Sequence, residues 1–397
     1  MTGGRADPRF YKLEQIFRKN FELGLESAGA SFAVYLNGEL VVNLWGGMAD
    51  VVRSQYWTEH SVSVLFSTTK SLSACVLAYV MDREGVSYEE KVSKYWPEFA
   101  KHGKENTTIL QVTLHQVNAM YSAGLPYTTE VIHREDVTDW RRMSKYFENA
   151  IPIWTPGKKT GYHALTIGFL IDQIVRRIDF KRRGVNQILN EDLVKKFGIE
   201  DLSIGLKSCS ENYRVARLRT PTEEEKAEEG RRNPLVLQRY EAGQNIYNKR
   251  LYETWPWITT DDYNLLENQL LAMPSNMGIG NAQSLAKFHS LLAEQRILSP
   301  SYYEIFSKPI IEENFDIVMG YPETKGYGFQ FTKNPKVSIT LAMDEWIFGH
   351  SGYGGQNVRV DIKNHLAYAY VCNGLKIADA DMVETWKRLV DTLYQII

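Results

Sequence analysis

Cysteine is scarce in this chain of 397 residues: Cys75, Cys209 and Cys372 are odd in number and far apart. That pattern fits reduced thiols in an intracellular compartment better than a disulfide framework or a zinc site, with Cys75 packing as a small core residue. No cluster of His, Cys and carboxylate residues has metal-ligand spacing, so neither a metal nor another cofactor is expected, and His115 and His163 read as structural. Charge of one sign is lacking too. The 46 Lys and Arg residues offset 48 Asp and Glu to a formal charge of −2, and no basic block is long enough to follow a phosphate backbone. Nucleic acid is therefore not expected as a partner. No apolar run reaches membrane-spanning length, and Met1 to Asn20 holds none of signal-peptide length. No membrane association is expected, and a cytoplasmic location is, with organelle import left open. The sequon Asn106-Thr107-Thr108 then reads as an ordinary polar loop.

What the chain does have is apolar material, 44% hydrophobic and 12% aromatic, enough for a sizeable core. Phe10, Leu13, Ile16, Phe17 and Phe21 fall at helical spacing over Phe10 to Leu25. Ser31 to Leu36 and Glu39 to Trp45 flank Asn37-Gly38, a pair at ease at positive φ, which predicts a tight hairpin. A helix from Ser71 to Glu84 follows, with Leu72, Val76, Leu77, Val80 and Met81 in register and Gly85 at the capping position. Between about Ser87 and Leu271 the pattern is helical or irregular, as in Leu165 to Arg177, without alternating strands. The run Glu223 to Glu229 reads as a solvated surface excursion. After a helix near Ala282 to Glu294, alternation returns in Val337 to Met343, Gln356 to Ile362 and His365 to Cys372, and an amphipathic helix from about Ala380 to Ile397 closes the chain. Strands at both ends with helices between predict one antiparallel sheet assembled from both termini (residues 1–86 and 272–397) and an inserted, mainly helical domain (87–271).

The chemistry concentrates at Ser67-Thr68-Thr69-Lys70. Three residues apart on a helix, Ser67 and Lys70 share a face, which places a hydroxyl nucleophile beside an amine base. Ser67 lies in the first turn, where free N–H groups and the dipole favour developing negative charge. By itself the serine is equally a helix cap. An S-x-x-K arises by chance roughly once or twice in a chain of this length, and Ser284 to Lys287 is a second match, inside a helical pattern. Three other stretches accompany Ser67. They are Pro156 to Thr166, a glycine-flanked turn presenting Tyr162; Phe348 to Gln356, which includes His350-Ser351-Gly352-Tyr353 beside an edge-like strand; and the turn Met120 to Pro126. Trp154, Trp255, Trp257 and Tyr127 are candidates for an acyl pocket, although aromatics are more often core.

With these motifs the chain resembles the serine β-lactamase and penicillin-binding-protein superfamily, more narrowly its class C branch, which includes family VIII carboxylesterases and β-lactamase-domain proteins of animals. Pro274 to Lys287 resembles the segment that the branch carries before its last strands, which makes the second S-x-x-K scaffold. The resemblance implies a β-lactamase-like α/β fold of the α+β kind. It also implies that Ser67 is the acylated nucleophile, Lys70 its base or proton relay and Tyr162 the catalytic tyrosine. His350-Ser351-Gly352 falls where lactamases carry Lys-Thr-Gly and would contact substrate, and the N–H groups of Ser67 and Tyr353 would form the oxyanion hole, each contributing about 3 kcal/mol.

Three departures shape the expected activity. Ala164 stands where lactamases place an Asn that binds the substrate amide, His350 replaces a Lys that pairs with the β-lactam carboxylate, and Tyr121 takes a place that is often His. The first two weaken recognition of a penicillin more than of a neutral ester. The expectation is a carboxylesterase acting on a small ester or amide, with weak lactamase activity at best. The alternatives are a peptidase or amidase, and a scaffold or sensing protein that has kept the fold without turnover. Self-association is left open.

Overall fold

The computed structural model describes residues 2–117, 131–338 and 345–397. Tyr121 and Tyr127 lie outside them, as does most of the strand expected over Val337 to Met343, whose first two residues end a short 3-10 turn, Pro335–Ser338.

Segments from the two ends of the chain build an antiparallel sheet. Its order is Thr2–Ala6, Glu39–Asp50, Gly29–Leu36, Leu366–Cys372, Gln356–Asp361, Trp346–Gly352, Phe329–Lys333, Tyr321–Gly326 and Ile311–Asp316. The seam between the termini is the pairing of Leu366–Cys372 with Gly29–Leu36, which runs from Leu366 opposite Leu36 to Cys372 opposite Ala30. The hairpin turns as expected, with Asn37 at φ 52° and Gly38 at φ 76°.

Alternation along the central strands divides the core. Ala367, Ala369 and Val371 face the helices Thr69–Glu84, Thr166–Ile178 and Ala282–Ala293. Leu366, Tyr368 and Tyr370 face the terminal helices Tyr11–Glu22 and Glu384–Ile396 through Phe17, Trp386 and Leu393. Covering both faces of the sheet makes it a middle layer. The helix Thr69–Glu84 is buried almost all round, and Gly85 ends it in the left-handed conformation at φ 68°. Ser67 precedes it in a 3-10 turn, Phe66–Thr68, so the candidate nucleophile sits on an element the whole core holds in place.

Two expectations need correction. Glu223 to Glu229 is part of a helix, Glu223–Arg232, capped by Thr222 and docked on the body of the protein. Glu229 accepts from the N–H groups of Ile377 and Ala378 at 3.2 and 2.9 Å, and Glu225 pairs with Arg219 at 3.0 Å. The middle of the chain also contributes a strand, Leu202–Ile204, joined through Gly278–Gly280 to Ser63–Val64.

Candidate active site

Phe66 has φ 44°, in the left-handed region that bulky residues avoid. Its ring is held against Tyr263 at 4.7 Å and Tyr353 at 5.5 Å between centroids. This fixed bend turns Ser67 into a cavity of about 420 Å³. Strain of this kind persists only where surrounding packing over-determines it.

Lys70 is 2% exposed, and its Nζ lies 2.9 Å from Ser67 Oγ, 2.7 Å from the carbonyl oxygen of Ala164 and 3.1 Å from that of Ser275. Burial holds its amine well below the ordinary lysine range, against a weaker opposing pull from Glu323. Ser275 is itself fixed, since its hydroxyl donates to Leu165 O at 2.6 Å and accepts from Gly168 N–H at 2.7 Å.

Tyr162 is the third member of the group. Its ring centroid is 4.9 Å from Lys70 Nζ, and it lines the same cavity as Ser67. Burial raises its phenol above the usual tyrosine value and outweighs the opposing effect of the Ser67 hydroxyl. The turn bearing Tyr162 is tied to the edge of the sheet: Tyr162 N–H donates to Asp316 Oδ1 at 2.9 Å, and Ile317 N–H donates to Thr160 O at 3.2 Å. Asp316 Oδ2 accepts from Lys325 Nζ at 2.8 Å, and Lys325 lies 2.6 Å from Glu323.

The strand Trp346–Gly352 forms one wall. Ser351 N–H and Oγ–H both donate to Gln330 Oε1 at 2.8 Å. Gly352 passes so close to the Ser67 turn that a Cβ there would lie 2.7 Å from Leu65 O and 3.2 Å from Ser67 N. Tyr353 therefore follows directly beside that turn, on the cavity wall. His350 is placed differently. It is 1% exposed, its Nδ1 is 2.6 Å from Ser351 O, its ring is 6.2 Å from that of Tyr162, and it is not part of the cavity wall. Burial and the neighbouring Lys70 hold its imidazole well below the ordinary histidine value.

The structure thus brings together Ser67, Lys70, Tyr162, Ser351, Gly352 and Tyr353, while His350 sits behind Tyr162. The tryptophans are elsewhere. Trp255 is fully buried and stacked on Phe169, Trp257 donates to Ile132 O and Trp154 to Gln116 O. The aromatic wall comes instead from Phe66, Tyr240, Tyr252, Tyr263 and Tyr321. Sequence reading missed these, along with Arg239, Asp316, Lys325 and Asp379; Phe66 directly precedes Ser67 but showed no chemistry of its own, and the others lie outside the motifs in the chain. The second S-x-x-K makes no such site: Lys287 donates to Gly198 O and Ser284 N–H to Asn281 Oδ1. Among the described residues, no three His, Cys, Asp or Glu side chains are placed to hold a metal ion, and no helix is long and apolar enough to cross a membrane.

Comparison with known proteins bears on the family and the fold. The chain is 33% identical over 218 residues to the esterase/beta-lactamase LipL of Mycobacterium tuberculosis, a match covering 55% of this chain and 48% of that protein. It thus aligns with about half the length of that relative. Against a beta-lactamase of Escherichia coli the identity is 26% over 141 residues, covering 35% of this chain and 34% of that one. Among solved structures, a family VIII carboxylesterase superposes with a TM-score of 0.83 at 28% identity, and a penicillin-binding protein homologue from Caulobacter crescentus with 0.79 at 29%; both matches cover 100% of each chain. The beta-lactamase family model matches residues 17–392, nearly the whole chain. This protein belongs to the beta-lactamase family and has its fold.

Proposed function

We propose that the protein is a serine hydrolase of the carboxylesterase type that works through an acyl-Ser67 intermediate. One observation carries the reading, the surroundings of Lys70 Nζ. A neutral amine has two N–H groups and one lone pair. The carbonyl oxygens of Ala164 and Ser275 can only accept, so they take both N–H groups and leave the lone pair facing the Ser67 hydroxyl at 2.9 Å. Burial favours that neutral form.

In the acylation step Ser67 Oγ bonds to the ester carbonyl carbon while its proton passes to Lys70. The N–H groups of Ser67 and Tyr353 face the oxyanion. The tetrahedral intermediate collapses by breaking the bond to the alkoxide, which leaves as the alcohol after taking a proton from the Tyr162 hydroxyl; Lys70 restores that proton. Water then adds to the acyl carbon by the reverse path, and the carboxylic acid leaves Ser67. Esters suit the cavity better than β-lactams. Ala164 offers no side-chain amide, and the residue in place of the lactamase lysine is buried off the wall. The similarity to a family VIII carboxylesterase, and to LipL, an esterase/beta-lactamase, supports ester hydrolysis.

The test is intact-mass spectrometry after treatment with a fluorophosphonate, with peptide mapping and Ser67→Ala as control, followed by turnover of short p-nitrophenyl esters. A single adduct on Ser67 and ester turnover that Ser67→Ala abolishes are expected. A folded protein that takes no adduct, or whose Ser67→Ala variant keeps its activity, would sink the proposal and favour a binding or scaffold role.

A further inference from the structure

The ladder between Phe329–Lys333 and Trp346–Gly352 ends with Gln330 opposite Gly349, two residues short of Ser351. There the Gln330 side chain takes over from the backbone: its Oε1 accepts from both Ser351 N–H and Ser351 Oγ–H at 2.8 Å. A backbone N–H can only donate, so this contact fixes which end of the carboxamide faces Ser351. Two consequences follow for the cavity. The Ser351 hydroxyl proton is committed to Gln330 and is not offered to a substrate. The Gln330 Nε2 group, turned away from Ser351, donates to none of the described residues, and unlike the Asn276 amide oxygen on the same wall it is not closed off from solvent. Gln330 lines the cavity together with Ser67, Tyr162 and Gly352, and Gly352 passes beside the Ser67 turn. The wall thus presents, close to the nucleophile, two N–H donors of fixed orientation and no partner.

Two free N–H groups call for an acceptor oxygen, and the surroundings decide whether that oxygen is charged. His350, at the place of the lactamase lysine, is buried and held neutral, and Arg239, the one guanidinium or ammonium group lining the cavity among the described residues, is already paired with Asp379 at 3.7 Å. A carboxylate at Gln330 would lose hydration with no cation of its own to meet it, and an ammonium would set donor against donor. A carbonyl or ether oxygen loses little and gains a hydrogen bond. We propose that Gln330 determines specificity by donating from Nε2 to a second, neutral oxygen a few bonds from the scissile carbonyl, so that the preferred substrates are oxo- or alkoxy-substituted esters rather than plain alkyl esters. This rests on the hydrolase reading above and gives it a substrate class. Because Nε2 is open to water when no such oxygen is present, plain esters are still turned over, and the preference is that of a neutral hydrogen bond, about three- to tenfold.

The test uses matched pairs of esters in which one CH₂ of a short straight chain is replaced by an ether oxygen or a ketone carbonyl, moved position by position along the acid in p-nitrophenyl esters and along the alcohol in butanoate esters. For each pair, the kcat/KM ratio of substituted to plain ester is divided by the same ratio for hydroxide-catalysed hydrolysis, which removes the inductive effect of the oxygen. The wild type is expected to show a corrected ratio of about three to ten at one position in one series, through a lower KM. Gln330→Glu separates reading the substrate from merely holding Ser351. Its carboxylate still accepts from Ser351 N–H and Oγ–H but turns an acceptor to the cavity, so the corrected ratio should fall below one, and an ester with an ammonium group at that position should gain about tenfold. Gln330→Met removes both functions and should bring the corrected ratio to about one; if one variant does not fold, the other decides. A wild-type corrected ratio of one at every position in both series, or a folded variant that keeps the wild-type ratio, overturns the proposal. Turnover of the plain esters, checked against Ser67→Ala, reports on the hydrolase reading. If it persists while the corrected ratios are flat, only this inference falls; if it is absent, the hydrolase reading falls and this one with it.

Discussion

Asp316 holds Tyr162 by its backbone, not by its hydroxyl: Oδ1 accepts from Tyr162 N–H at 2.9 Å, while Oδ2 is taken by Lys325 at 2.8 Å. The same Oδ1 also accepts from Val318 and Met319 N–H at 3.0 and 3.1 Å. One buried carboxylate therefore sets the direction of the turn from which Tyr162 reaches Ser67. Asp316→Ala removes these acceptors and leaves Lys325, 3% exposed, with Glu323 as its remaining carboxylate. The expected cost is about 3 kcal/mol of stability. Displacing Tyr162 should lower kcat by roughly 10- to 100-fold with little change in KM. Chemical denaturation and steady-state ester kinetics measure both. A variant with unchanged kcat would show that the turn holds its position without Asp316.

The same ion pair predicts an acid limit. Burial alone would raise the Asp316 carboxyl, but Lys325 and the backbone donors more than offset it and leave it below the ordinary aspartate value. A carboxylate depressed in the folded state contributes stability above its unfolded pKa of about 3.9, and loses it as pH falls through the folded value. Wild type should therefore be more stable than Asp316→Asn at neutral pH, with the gap shrinking below about pH 4. Urea midpoints measured across that range give the comparison, and a gap that widens in acid would contradict the assignment.

Lys70 makes a prediction about rate. A lysine of ordinary pKa would let kcat/KM climb about tenfold per pH unit up to roughly pH 10.4. Burial lowers Lys70 well below that, so the acid limb should level off well before it and leave a plateau above. The pH dependence of ester hydrolysis, corrected for spontaneous hydrolysis, distinguishes the two. A rate still rising tenfold per unit between pH 8 and 10 would mean that Lys70 remains charged at neutral pH.

Gly352 leaves space that a side chain would close. A Cβ there would stand 2.7 Å from Leu65 O and 3.2 Å from Ser67 N, both backbone atoms that cannot swing aside. Gly352→Ala should therefore push the Tyr353 turn away from Ser67 and cost on the order of 100-fold in kcat, the scale of a lost oxyanion donor. Fluorophosphonate labelling of Ser67 should slow in parallel. Full activity in this variant would place the oxyanion elsewhere.

The sequence made the termini of the fold and the centre of the site readable because both follow local rules. Asn37-Gly38 specifies its turn, Gly85 its helix end, and the three-residue spacing of Ser67 and Lys70 brings them together where a 3-10 turn leads into the helix. The edge strands were not readable. Ile311–Asp316 runs Ile-Glu-Glu-Asn-Phe-Asp, exposed at its four inner positions, and Tyr321–Gly326 buries Lys325 where a pattern of alternating apolar residues would be sought. Their ladder is held by backbone bonds and by Lys325 between Asp316 and Glu323, partners that only the fold supplies. Arg239 and Asp379 were hidden for the same reason, being 140 positions apart and brought together through Tyr321. Glu223 to Glu229 misled because a run of like charge reads as solvated, while Glu229 is needed to cap the N–H groups of Ile377 and Ala378.

His350 offers the sharpest check on how this site differs from a lactamase. In the aligned motif a lysine would place a cation in the cavity, and the simplest way to restore it is His350→Lys. The structure argues against success. The side chain at this position points behind Tyr162, is 1% exposed and stands in the field of Lys70 and Lys325, both of which depress the imidazole it now carries. A lysine there would be a buried charge with no carboxylate of its own, a defect that costs about 3–5 kcal/mol, unless it shed its proton and with it the ability to pair with a β-lactam carboxylate. The expected outcome is a clearly lower melting temperature with no gain in benzylpenicillin hydrolysis. A stable variant that hydrolyses penicillin would show that position 350 can reach the cavity, and would return it to the substrate-binding wall.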